Sequence, residues 1–160
     1  LRNLSMIVLY RPSSNKIIHR INGPFFNQHD VDILNDSEIS IFDNNLKQSY
    51  KGRFVDGVNR VVIYNFEKDK FRFYLNEALK REDVRTKTAG RSQILPNGSL
   101  FIEEATYGRL LFFNSDGSLR WDYINRGNNN TISYLGWSRL LYKDKDVKIV
   151  KSLLKTLNDG

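Results

Sequence analysis

An internal repeat constrains this chain more than any other feature. Residues 7–21, 61–75 and 110–124 align without gaps, each as an apolar run, a polar turn and a second apolar run. Tyr10, Tyr64 and Phe113 share one position of the repeat, and Ile21, Leu75 and Ile124 share another. The turns at 12–15, 67–69 and 115–117 are built from Pro, Ser, Asn, Asp and Gly, residues that accept hairpin geometry. A second aligned pair precedes two of the copies. Residues 32–41 match 93–102, with Asn35-Asp36-Ser37 and Pro96-Asn97-Gly98 as their turns. One full unit is therefore four antiparallel strands.

The repeat starts at residues 7, 61 and 110, a period near 50. Four-stranded units at that period are the signature of propeller blades. The spacing predicts full blades over 28–75 and 91–124. It also predicts the last two strands of an earlier blade over 4–21, and a single strand over 132–141. Residues 1–142 thus read as an all-β, partial β-propeller of about two and a half to three blades. A blade buries its two faces only against neighbours. Further N-terminal blades, or another copy of the chain, are expected to complete the ring. A β-sandwich is the structural alternative, since short strands and frequent turns suit it too.

Two insertions interrupt the pattern. Residues 45–59 are polar and contain Gly52 and Gly57; residues 76–90 are charged and open with a stretch suited to a helical turn, Asn76 to Arg81. At the end, Val147, Val150, Leu154 and Leu157 fall at helical spacing. The expectation is a short helix over 143–160, docked as a cap on the last blade.

Composition narrows the chemistry. Ten Phe and eight Tyr favour strands, and 40% apolar content argues against disorder. With no Cys there is no disulfide framework and no thiolate metal site. Apolar runs such as 110–113 are far too short to span a bilayer, so no membrane partner is expected. The first residue is Leu rather than Met, so the chain reads as trimmed, which leaves room for a targeting segment upstream. A net charge of +7 suits an anionic partner or a plain basic surface. Nucleic acid is disfavoured, because Phe71-Arg72-Phe73-Tyr74 reads as a strand rather than as a stacking platform in a basic groove.

No phosphate-binding glycine loop, zinc motif or serine-hydrolase elbow is present. Glu103 and Glu104 are adjacent on a strand and point to opposite faces, so they cannot act as a paired acid and base. Asp30 and Asp32 share a face, but two carboxylates supply too few oxygens for a hard cation. No metal and no cofactor are implied. Of the two histidines, His19 lies mid-strand and reads as a partly buried surface residue. His29 opens the first strand of a full unit, the strand nearest the axis of a propeller. Alternation sets it with Val31 and Ile33, which could also be a plain apolar face.

At this point the chain resembles a family. Gln28-His29-Asp30, ten variable residues, then Ile41-Phe42-Asp43-Asn44-Asn45 are similar to the Gln-His-Asp … Phe-Asp-Asn-Gly segment of arylsulfotransferase-like propellers. The stretch from Gly90 and Arg91 to Gly98, then Gly108-Arg109 and Asp116 to Trp121, resembles the next blade, and Trp137-Ser138-Arg139 the closing strand. The resemblance covers residues 6–141. It implies a six-bladed ring with a site at the channel, and transfer of a sulfuryl group from a phenolic sulfate ester to a phenol without a nucleotide donor. An aryl sulfate would be the anionic partner, and a periplasmic or secreted location is favoured.

In such a site a histidine is the nucleophile, assisted by further histidines and an arginine. Imidazole is nucleophilic when neutral near pH 7, and the guanidinium fork grips sulfate oxygens. His29 matches the family histidine that assists the sulfate. Arg53 matches the family arginine, across a longer loop. Asp30, Asn44, Arg91 and Arg109 are the candidate ligand-binding residues. The nucleophile is expected in the third strand of the next blade, where this chain reads Tyr107 to Asn114 with no histidine. Three functions compete on these grounds: a transferase using His29, a non-catalytic propeller that binds an anion or a partner protein, and nucleic-acid binding.

Overall fold

The computed structural model describes residues 1–158. The fold is predominantly β: twelve strands in four small sheets, followed by one long helix. Strands β1 (Met6–Arg11) and β2 (Lys16–Asn22) form a two-stranded hairpin. The first four-stranded sheet begins with β3 (Asp30–Ile33) and β4 (Glu38–Asp43). The chain then leaves it through a separate hairpin, β5 (Leu46–Ser49) and β6 (Gly52–Val55), and returns as β7 (Arg60–Asn65) and β8 (Lys70–Tyr74), in the order β3-β4-β7-β8. After the short helix α1 (Asn76–Arg81), the second sheet follows as β9 (Arg91–Ile94), β10 (Leu100–Glu104), β11 (Arg109–Phe113) and β12 (Leu119–Ile124), a pure meander. Helix α2 spans Asp144–Asn158.

The expected strand pairs within 4–21, 28–75 and 91–124 are thus present, as is the helical turn at 76–81. The turns work through the chemistry read from sequence. The side-chain oxygens of Asn35, Asn97 and Asp116 each accept the backbone N–H two residues on, at 2.9–3.0 Å.

Strand alternation then builds the core. Ile39, Ile41, Val62 and Tyr64 leave the first sheet on the side of the β1–β2 hairpin and meet Ile21 and Phe25. Phe42 and Val61 leave it on the other side and meet Leu100, Ile102, Leu111 and Phe113 of the second sheet, with Ala78 and Leu79 of α1 beneath. Both faces of the first sheet are therefore covered by neighbouring sheets. Close approach of the two large sheets depends on Gly90. At its φ of +83°, a Cβ would stand 2.7 Å from Phe42 and 2.9 Å from the Glu103 carbonyl.

Three expectations are corrected. The polar insertion at 45–59 is a hairpin, not a bare loop. Its base is tied by Asn45, whose amide donates to the carbonyls of Asp56 and Val58. The stretch 132–141 is not a strand. Ile132 makes one bridge with Arg126, and beyond it the backbone turns through Trp137 at φ 71°. The buried Glu103 carboxylate there accepts the N–H groups of Trp137 and Ser138, satisfying them without a ladder partner. Helix α2 forms at the expected place, with residues 159 and 160 of the 143–160 segment outside the described residues. It is not docked: Leu153 and Leu157 are 60% and 76% exposed. Among the described residues, no helix is long and apolar enough to cross a membrane.

Candidate functional site

The first strand of the large sheet, β3, separates two polar clusters at its entry. Successive side chains point to opposite faces. His29 therefore looks toward the β1–β2 hairpin, and Asp30 toward the second sheet.

His29 is half-buried. Its backbone N–H donates to the Phe42 carbonyl at 2.9 Å, and its Nδ1 stands 3.3 Å from Oδ1 of Asn44. Asn44 is fully buried and fixes this contact from behind. Its Nδ2 donates to the carbonyls of Thr86 and Ala89, both at 3.0 Å. With both amide hydrogens spent, Asn44 offers His29 only an acceptor. Nδ1 must carry the proton, and the lone pair lies on Nε2. Burial and then the Arg2 guanidinium hold the imidazole below the ordinary histidine pKa, opposed by the Asn44 hydrogen bond. Both effects favour the neutral ring. It lines a cavity of about 380 Å³ with Arg2, Ile7, Val8, Gln28 and Val31. Gln28 donates to the Met6 carbonyl at 2.9 Å, and its own buried oxygen has no partner.

On the other face, Asp30 accepts the Ser92 N–H at 3.3 Å and stands 3.6 Å from Nε of Arg91. Burial, then the neighbouring Asp32 carboxylate, push the Asp30 carboxyl up. Arg91 is buried, with its guanidinium 5.0 Å from the Trp137 ring centre. It lines a different cavity from His29. His29 and Arg91 therefore do not share one pocket; β3 stands between them.

Arg53 and Arg109 lie outside both cavities. Arg53 is exposed on β6, paired in register with Gln48, and lines neither cavity. Arg109 is engaged within the fold: Nε donates to Glu104 at 2.6 Å and Nη2 to the Glu82 carbonyl at 2.9 Å. Asn44 meets His29 and the 86–89 loop.

The Phe-Asp-Asn segment has a structural centre that sequence reasoning passed over. Asp43, with its side chain wholly buried, receives Arg60 through Nε at 2.9 Å and Nη2 at 2.5 Å, and the N–H groups of Phe26 at 2.6 Å and Asn45 at 2.9 Å. Asn59 completes the strap, donating to the carbonyls of Asn44 and Thr86 and accepting the Thr86 N–H at 2.5 Å. The only hint in sequence was the run of three polar residues, Asp43-Asn44-Asn45, ending an apolar strand. Among the described residues, no three His, Asp or Glu side chains gather in a way that could hold a metal ion.

The architecture is that of a predominantly β protein, with His29 at the entry of an edge strand of a four-stranded sheet. Residues 1–126 match the family model described as arylsulfotransferase (ASST), and the chain belongs to that family. No curated protein and no solved structure matches it.

Proposed function

We propose that the two four-stranded sheets are blades of a six-bladed β-propeller, completed by further blades or by another copy of the chain, and that the protein transfers a sulfuryl group from a phenolic sulfate ester to a phenol. The observation that carries the proposal is the neutral imidazole of His29. Its Nδ1 is tied to Asn44, and its Nε2 lone pair is free in a cavity that also holds the Arg2 guanidinium. In the proposed reaction, Nε2 bonds to sulfur as the S–O bond to the donor phenol breaks and phenolate leaves. The acceptor phenol then bonds to the same sulfur, the N–S bond breaks, and the acceptor's proton passes to solvent or to the departed phenolate. Charge spread over the sulfuryl oxygens is stabilised by the guanidinium, as in phosphoryl transfer. A periplasmic or secreted setting goes with this chemistry.

The test is release of nitrophenolate from 4-nitrophenyl sulfate in the presence of a phenol. The full-length protein should turn over, and His29→Ala should lose at least about a hundredfold in rate. Equal rates in the two proteins would remove the proposal.

A second function has one observation in its favour. The strand expected to carry the nucleophile, Arg109–Phe113, has no histidine, and its arginine is taken by Glu104. A non-catalytic propeller that binds an anionic ligand or a partner protein would need neither. Binding of the aryl sulfate without turnover would favour this function.

A further inference from the structure

The cavity on the far side of β3 from His29 has no part in the proposed transfer. It has a volume of about 330 Å³ and lies between the ends of β3 and β9 and the segment 139–146. Its most informative resident is Arg91. The side chain is 6% exposed, yet its Nε and Nη1 are sealed without a hydrogen-bond partner. Asp30 stands 3.6 Å from Nε, beyond hydrogen-bond reach, and Trp137 packs over the guanidinium rather than accepting from it. A buried guanidinium with unused donors is costly unless an acceptor arrives.

The surroundings specify that acceptor. Arg139 and Lys143 line the same cavity beside Arg91 and add positive charge; Asp32 and Asp146 stand on the same wall, and Asp30 stands behind Arg91. Part of the remaining wall is apolar: Ile33 is 84% exposed, and Leu140, Leu141 and Ile94 stand beside it. A bare inorganic ion would leave that surface wet, whereas an anion with a hydrocarbon body would cover it.

We propose that this cavity is a second binding site, separate from the His29 cavity, for a small organic anion: one carboxylate or sulfate-type head held by Arg91, Arg139 and Lys143, and an apolar body laid on Ile33, Ile94, Leu140 and Leu141. The site does not depend on catalysis at His29.

Hexanoate is the probe, with acetate and inorganic sulfate as controls, and the Trp137 indole resonance is the readout because that ring lies over Arg91. Hexanoate should shift the Trp137 signal saturably at millimolar concentration, and acetate and sulfate should bind about tenfold more weakly. Arg139→Gln, at an exposed position, should weaken hexanoate about tenfold without affecting folding. His29→Ala should leave binding unchanged, so failure here and failure of the transferase assay are distinguishable. The proposal is overturned if Trp137 stays unmoved, if Arg139→Gln binds as the parent does, or if sulfate matches hexanoate.

Discussion

The Oδ1 of Asn44 lies 3.3 Å from Nδ1 of His29, and the amide behind it has no rotational choice, because its nitrogen is committed to two backbone carbonyls. Replacing Asn44 by Asp keeps the shape and inverts the electrostatics. A carboxylate beside Nδ1 would stabilise the imidazolium, so the His29 pKa should rise above its value in the parent, as read by NMR titration of the ring protons. The same change takes from the Ala89 carbonyl its Asn44 donor, leaves the Thr86 carbonyl with Asn59 alone, and should cost about 1–3 kcal/mol in urea unfolding. An unchanged His29 pKa would mean that the two side chains do not meet.

The His29 shift also sets a pH dependence of stability. Its folded pKa lies below the ordinary value of 6.5. As pH falls, the unfolded chain takes the proton first, so this contribution is complete above 6.5 and declines as pH falls toward the folded value. The buried carboxyls of Asp30 and Glu104 are raised mainly by burial and act in the opposite sense, gaining stability as they protonate. The measurement is therefore a difference. Parent minus His29→Gln stability, followed by thermal melting, should decrease as pH is lowered from neutrality through that window.

Asp43 and Arg60 should behave as a coupled buried pair. Asp43→Asn removes the charge that Arg60 faces and weakens the turn that holds Phe26 and Asn45. A loss of about 2–4 kcal/mol is expected, in the range for breaking one side of such a pair. Arg60→Met with Asp43→Asn together should cost less than the sum of the two singles, since neither charge is then stranded. Additive losses in chemical denaturation would contradict the pairing.

Helix α2 and the sheet core should separate cleanly in mutagenesis. Leu153→Ala, on the exposed stripe, should change stability by less than about 0.5 kcal/mol. Phe42→Ala, between the two large sheets, should cost about 3–5 kcal/mol. A large loss at Leu153 would show that α2 docks after all.

Much of the fold was legible because a repeat is redundant information. Each hairpin of 28–75 and 91–124 was read twice, and the period of two in strands such as Val61 to Tyr64 predicts which side chains enter which core. Residues 132–141 misled because Ile132, Tyr134 and Leu140 look strand-like, while the deciding partner, the Glu103 carboxylate, lies 34 residues upstream of Trp137. The helix at 144–158 was visible in its apolar spacing, but spacing cannot say whether anything covers the apolar face. The site was legible in part. His29 and Arg91 stood out by residue type, yet a single residue, Asp30, marks the change of face that puts them in different cavities. Arg109 looked free because its acceptor, Glu104, lies on the neighbouring strand, and Arg60 was overlooked because nothing local marks its partner.

The central claim is that His29 presents an unprotonated Nε2 to an anion-accepting cavity. Nitrogen-15 NMR of the imidazole at pH 7 tests it most directly. The account predicts a protonated Nδ1, a lone-pair Nε2, and a shift of the Nε2 signal when 4-nitrophenyl sulfate is added. A ring that is charged, that carries its proton on Nε2, or that ignores the sulfate ester would contradict it.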